Sequence, residues 1–308
     1  MPLTAESLAV LDVLQKAGMP ALVAFEPAVG RPIFNEAFGT KPEDQEPVAT
    51  VRELSIPVAG GEIPARLYAP AGSNLPVVVH FHGGGWVYMG LGTHDGLCRQ
   101  LANQAQVAVV AVEYRKAPEF KAPTAVDDCM AGLKWVRDNA ATLGVDVSRL
   151  AVMGDSAGGN LAAAVALMAR DAGIPVKAQV LTYPAVDATL GSASIKENAT
   201  APILGEAEMV WFYGHYLNGA SVDAKDWRVS PLFAPSHAGL PPTFISTAEF
   251  DPLRDEGEAY AAKLIASGVE VTAKRYLGVF HGFALMGKMI PEGRQVLADQ
   301  AAFLKTHL

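Results

Sequence analysis

Cysteine is scarce in this chain: 308 residues contain two, Cys98 and Cys129. One pair is no disulfide framework, and neither thiol sits in a C-x-x-C or Cys/His metal pattern. Both are expected to be buried, reduced core residues, and no metal or cofactor is expected. Long apolar runs are missing as well. No stretch reaches 18 apolar residues, which excludes an apolar membrane-spanning helix, and no stable membrane association is expected. The opening "MPLTAESLAVLDVLQKAGMP" lacks a basic region and is interrupted by Asp12, so it does not read as a signal peptide, and a cytoplasmic location is the default expectation. Clustered basic residues are absent too. The formal net charge is −8, a balance that argues against nucleic acid and anionic membranes as partners. There are no internal repeats and no low-complexity tracts.

What remains is the composition of a cored globular protein: half of the residues are hydrophobic and 18% are charged. The spacing of Leu8, Leu11, Leu14 and Leu22, with Thr4 as N-cap, predicts an N-terminal helix. Residues 26–46, rich in Pro, Gly and charge, read as loop. "TVRELSIPV" and "EIPARLYAP", joined through Ala59–Gly61, read as an antiparallel hairpin. From Leu75 onward short apolar runs alternate with helical stretches. The runs lie at 77–81, 107–114, 150–155, 178–183, 243–250 and 271–276. The helices are predicted near 94–104, 124–142, 156–171, 254–267 and 292–306. Near-continuous apolar strands separated by helices predict a mostly parallel sheet covered on both faces, an α/β architecture. Residues 187–228 break the alternation, with helical and aromatic character but no strand. They read as an insertion packed over the sheet, joined there by the N-terminal helix. The expected organisation is therefore 1–45 as an N-terminal cap segment, 46–186 and 229–308 as the two parts of the core, and 187–228 as a cap insertion.

The sharpest chemical signal is "GDSAGG" at 154–159, set between the apolar strand "LAVM" and the helix former "NLAAAVALMAR". This is G-x-S-x-G in a strand–turn–helix context. A Ser on so sharp a turn needs small neighbours two residues to either side, which Gly154 and Gly158 supply. Ser156 then projects its hydroxyl at a helix N-terminus, where free N–H groups favour negative charge. A phosphate-binding loop is disfavoured, because no Gly-Lys-Ser/Thr follows and the spacing does not fit G-x-G-x-x-G. A serine hydroxyl needs a base. Of seven histidines, His281 stands out, in a short Gly-flanked loop after the last strand. His215, His237 and His307 lie in the insertion, a loop and the tail, and His94 reads as a helix-start residue. Asp251, after "TFISTAEF", is the orienting acid expected from the chain order Ser, Asp, His. It also reads as a routine helix start before Pro252. Glu249 and Asp255 are rival acids. The "HFHGGGW" stretch at 80–86 places three glycines directly after a strand, where bare backbone can present N–H groups to a tetrahedral oxyanion. Such preorganised donors are worth about 3–4 kcal/mol each. Ala157, after the nucleophile, would add another.

Together "HGGGW" (82–86), "EYRKAPE" (113–119), "GDSAGGN" (154–160), "DPLRDEG" (251–257) and "HGF" (281–283) resemble the hormone-sensitive-lipase-like family (family IV) of bacterial carboxylesterases in the α/β-hydrolase superfamily. The resemblance spans most of the chain. It implies an α/β-hydrolase fold with a helical cap built from residues 1–45 and 187–228. It implies Ser156 as nucleophile, Asp251 as acid, His281 as base, and an oxyanion hole from Gly84, Gly85 and Ala157. It also implies hydrolysis of short-to-medium acyl esters without a cofactor. Which two of Gly83, Gly84 and Gly85 donate stays open. Lys116 and Lys121 depart from the family's usual apolar or His residues, in a segment expected to brace the core. Trp86, Tyr88, Leu204, Phe212 and Phe283 are the expected substrate-binding residues. Trp211 and Tyr213 are further aromatic candidates in the cap, where aromatic residues often serve packing alone. His82 is expected to hold its loop rather than act as base. Because the base must be neutral, kcat/KM is expected to rise with pH as imidazole loses its proton. The alternatives are an amidase or deacetylase using the same triad, and a non-catalytic ligand-binding member of the fold. The expected partner is a small ester, with a homodimer formed through an exposed last strand.

Overall fold

The computed structural model describes residues 2–308. In chain order its elements are α1 (Ala5–Lys16), α2 (Pro27–Phe38), β1 (Thr50–Val58), β2 (Gly61–Ala69), β3 (Leu75–Phe81), α3 (Leu91–Ala105), β4 (Ala108–Val112), α4 (Thr124–Asp138), α5 (Ala140–Leu143), β5 (Val145–Asp155), α6 (Ala157–Asp171), β6 (Ala178–Thr182), α7 (Ala193–Glu197), α8 (Glu206–Leu217), β7 (Thr243–Phe250), α9 (Arg254–Ala266), β8 (Val271–Phe280) and α10 (Pro291–His307). The strands form one eight-stranded sheet ordered β1-β2-β4-β3-β5-β6-β7-β8. β2 is antiparallel to β1 and β4, and the remaining pairings are parallel. This is the mostly parallel α/β sheet expected from the alternation of short apolar runs with helices, in the α/β-hydrolase arrangement that the resemblance implies.

Valine-rich strands with no polar face must be covered on both sides. The "AVVAV" of β4 is buried at every residue. On one side Val77, Val79 and Phe81 of β3 pack with Val126 and Leu133 of α4, Leu161 and Val165 of α6, and Tyr260 and Leu264 of α9. On the other, Val78 packs with Cys98 and Leu101 of α3 and with Val296, Leu297 and Leu304 of α10. Both cysteines are buried free thiols, and burial pushes their pKa up.

The register sets up the chemistry. Phe81 of β3 pairs with Gly154 of β5, so the glycine loop and the Ser156 turn leave the sheet side by side. Phe250 of β7 pairs with Phe280 of β8, so Asp251 and His281 emerge as neighbours. Residues 187–228 contribute α7 and α8 and no strand. Trp86 stacks on Tyr216 of α8 at 4.4 Å between ring centroids.

Three local expectations are corrected. Residues 26–46, read as loop, contain the twelve-residue helix α2. Pro27 suits a first helical position, and burial of Phe34 against Tyr88, 4.9 Å between centroids, offsets the hydrogen bond that Pro32 costs inside the helix. Helix α1 ends at Lys16, before Leu22, and buries Ser7 and Val10 while Leu8 is exposed. The helix predicted over 124–142 is broken at Asn139 into α4 and α5.

Candidate active site

Ser156 sits between β5 and α6 with φ 56° and ψ −120°, a strained conformation for a residue with a side chain. The turn is held because its own N–H donates to Thr182 O at 2.8 Å. The close packing explains the flanking glycines. A Cβ on Gly154 would lie 2.2 Å from Gly158 O, and one on Gly158 would lie 2.0 Å from Phe81 O. His281 Nε2 is 2.9 Å from Ser156 Oγ, and its Nδ1 is 2.8 Å from Asp251 Oδ2. Asp251 is fully buried, and its other oxygen accepts Leu253 N–H at 2.8 Å. The carboxylate therefore faces the imidazole and begins the turn into α9 at once. The rival acids face elsewhere: Asp255 accepts Ser194 N–H at 2.8 Å and pairs with Arg254 at 2.8 Å, while Glu249 accepts Gly278 N–H at 2.7 Å.

The glycine loop divides by residue. Gly83 N–H donates to Asp155 Oδ1 at 3.0 Å and is thereby occupied. Gly84 and Gly85 have φ of +109° and +61°. A Cβ on Gly84 would lie 2.3 Å from Tyr88 O, and one on Gly85 would lie 2.2 Å from a ring carbon of Phe212. Only glycine meets both demands. Gly84, Gly85 and Ala157 line the same cavity as Ser156 and His281. His82 is buried and stacks on Tyr114 at 4.2 Å. Its Nδ1 lies 2.7 Å from Gly83 O, and Tyr114 OH donates to His82 O at 2.8 Å. Burial, with Lys116 and the neighbouring histidines, holds its pKa well below the ordinary value. Lys116 pairs with Glu113 and Lys121 donates to His215 O at 3.1 Å, so neither departure from the family pattern touches the triad.

The cavity over Ser156 holds about 780 Å³, counted to its open mouth. Trp86, Tyr88, Leu204 and Phe212 line it as expected. Phe283 does not. It is fully buried beneath the site, 5.8 Å from Tyr183 and 5.3 Å from Tyr276 between centroids. The chain turns at Gly282 (φ 89°), so Leu285 and Met286 reach the cavity instead. Trp211 stacks on Tyr88 at 5.4 Å and Tyr213 packs on Trp86 at 5.2 Å, outside the described lining. Sequence reasoning missed Phe38, Met89, Met209 and Tyr183, which also line the cavity. It also missed His94, whose Nε2 is 3.0 Å from Asp155 Oδ1. His215 packs on Trp211 at 4.3 Å and His237 Nε2 lies 2.9 Å from Pro231 O, away from Ser156. Among the described residues no helix is long and apolar enough to cross a membrane, and no three His, Cys, Asp or Glu side chains gather as a metal site.

Comparison with known proteins places the fold in a family. The sequence model of the alpha/beta hydrolase fold family matches residues 78–285. The chain is 44% identical over 275 residues to carboxylesterase NlhH of Mycobacterium tuberculosis, covering 87% of this chain and 86% of that one. It is 38% identical over 286 residues to an arylesterase of Saccharolobus solfataricus, with 92% of each covered. Among solved structures it superposes on EstE1, a thermophilic carboxylesterase from a metagenomic library, with a TM-score of 0.89 at 45% identity, covering 93% of this chain and 99% of that one. The chain belongs to the α/β-hydrolase family, in its hormone-sensitive-lipase-like branch of esterases.

Proposed function

We propose that this protein is a serine carboxylesterase acting on neutral esters with short-to-medium acyl chains. The observation that carries the reading is the continuous line Ser156 Oγ, His281, Asp251, with contacts of 2.9 and 2.8 Å, beside two glycine N–H groups held open by left-handed backbone. His281 Nε2 takes the Ser156 proton as Oγ attacks the ester carbonyl, forming the C–O bond to the enzyme. Negative charge develops on the former carbonyl oxygen and is received by the N–H groups of Gly84, Gly85 and Ala157. His281 then protonates the leaving alcohol as its C–O bond breaks. Water, deprotonated by the same imidazole, attacks the acyl-enzyme and returns Ser156 with release of the acid. Asp251 holds the Nδ1–H tautomer and balances the transient imidazolium.

The cavity walls favour a neutral substrate. Leu22, Phe38, Ile203, Leu204, Met209 and Leu285 are apolar, and the carboxylate of Asp155 is turned to Gly83 and His94. Residues 1–45 and 187–228 would serve as the cap, with 46–186 and 229–308 as the core. A net charge of −8 without runs of basic residues fits a cytoplasmic enzyme of small substrates, and β8, an edge of the sheet exposed at residues 272–275, is the strand through which two copies would pair. No feature of the site favours the amide-cleaving or non-catalytic readings. An alkyl fluorophosphonate tests the function: one equivalent should attach to Ser156 and abolish hydrolysis of p-nitrophenyl butyrate. Turnover that survives full labelling would overturn the reading.

A further inference from the structure

Beneath the glycine loop lies a second His–Asp pair that these steps do not use. Asp155, immediately before the nucleophile, turns its carboxylate under residues 82–85. Its Oδ1 accepts Gly83 N–H at 3.0 Å and the Nε2–H of His94 at 3.0 Å. The Gly83 N–H is farther, 3.3 Å, from His94 Nε2 itself. His94 is fully buried in the first turn of α3, and its Nδ1 lies 2.9 Å from Thr93 Oγ1, so both ring nitrogens are engaged. The fit has no slack, since a Cβ on Gly83 would stand 2.5 Å from Asp155 Oδ2. Burial works against charge on Asp155. The hydrogen bonds from the His94 imidazole and the Gly83 amide more than offset it, and the carboxyl is held below its usual range. The acceptor is therefore ionised, and hydrogen bonds to ionised groups are shorter and stronger than neutral ones.

We propose that Asp155 and His94 are positioning residues of the oxyanion hole. His94 orients the Asp155 carboxylate, the carboxylate takes up the Gly83 N–H, and the loop is thereby locked with the N–H groups of Gly84 and Gly85 directed into the cavity. The geometry also couples the two halves of the site. Asp155 is bonded through the chain to Ser156 and through a hydrogen bond to the loop, so donor and nucleophile are held in one frame. Oxyanion donors act by being fixed before charge appears, so a small displacement of the loop lowers the chemical rate while leaving ester binding nearly unchanged.

The inference rests on the ester-hydrolase reading, and the test separates the two. Wild type, His94→Phe, His94→Gln and Asp155→Asn are compared at a temperature well below each melting midpoint. The substrate is p-nitrophenyl butyrate, and the transition-state probe is an alkyl trifluoromethyl ketone, whose serine adduct places an oxyanion in the hole. A glutamine amide N–H can reach the place of the imidazole Nε2–H; phenylalanine keeps the ring shape without the donor. The expected result for His94→Phe is a fall in kcat of at least tenfold with KM within about twofold, matched by an equal loss of ketone affinity. His94→Gln should recover to within about threefold of wild type. Asp155→Asn, which sets an amide donor against the His94 N–H, should behave like His94→Phe and carries the test if that variant does not fold. A folded variant with wild-type kcat, a lowered kcat with unchanged ketone affinity, or a His94→Gln no better than His94→Phe would overturn the proposal. Absence of turnover by the wild-type protein would instead overturn the underlying reading.

Discussion

Two aspartates four residues apart have opposite surroundings, and the proposed roles follow from them. Asp251 is sealed from solvent with one oxygen 2.8 Å from His281 Nδ1 and the other on Leu253 N–H, so its carboxylate is fixed facing the imidazole. Asp255 lies half a turn into α9 and spends its carboxylate on Ser194 N–H and Arg254, tying α9 to the segment that carries α7. Replacing Asp251 by Asn keeps the shape but presents a donor to Nδ1 and selects the wrong tautomer, so kcat should fall by roughly 10⁴-fold. Asp255→Asn should leave kcat within a few-fold and lower the thermal midpoint slightly. Steady-state kinetics of the two variants check this, and the reverse order would move the acid role to Asp255. Gly85 gives a second residue-level outcome. Gly85→Ala asks a side chain to adopt φ +61° and to enter the space of the Phe212 ring. It should cost activity more than stability, because the loop rather than the core has to move. Equal kcat for variant and wild type would contradict that placement.

At the scale of elements, β3 carries an unusual core residue. His80 is fully buried, neither ring nitrogen has a hydrogen-bond partner among the described residues, and burial pushes its pKa down to about 3. Unfolded, the same imidazole takes a proton near its ordinary value of about 6.5. Between those values the unfolded chain binds more protons, so this group contributes stability above about pH 6.5 that is lost as pH falls toward 3. His80→Leu should therefore flatten the pH dependence of stability in that window. Urea unfolding of both proteins at pH 7 and pH 4.5 measures it, and equal pH sensitivity would contradict the assignment. The elements themselves were legible to differing degrees. Strands β3 to β7 announced themselves as apolar runs, and the strand–turn–helix around Ser156 followed from its glycines. Helix α2 did not, because its stability comes from Phe34 and Gly30 packing on Tyr88 rather than from local propensity. Phe283 was misplaced because the turn at Gly282 decides which side chain faces the cavity. His94 was read as a helix start because its role depends on the pairing of Phe81 with Gly154, which brings α3's first turn, the glycine loop and Asp155 together.

For the whole molecule, the site is a meeting of distant segments. Ser156, His281 and Asp251 come from three strand ends, while the cavity wall draws on the first forty residues and on α8. Phe38, at the end of α2, stacks on Phe34 at 6.4 Å and lines three adjoining cavities: the one over Ser156, one between α1 and residues 201–208, and one beside residues 284–289. Phe38 is thus common to the walls of all three. Phe38→Ala should join these spaces and raise the ratio of decanoate to butyrate ester hydrolysis by about tenfold, read from a p-nitrophenyl ester series. An unchanged chain-length profile would show that the wall lies elsewhere. The central claim, that one serine carries the chemistry, has a more direct test. Ser156→Ala removes a single oxygen from a turn whose hydrogen bonds are made by its backbone, so the variant should fold as the wild type does. The measurement is steady-state hydrolysis of p-nitrophenyl butyrate by both proteins at matched concentration and confirmed fold. The expected result is a loss of roughly 10⁴-fold or more in kcat, and a folded Ser156→Ala protein within tenfold of wild type would contradict the account.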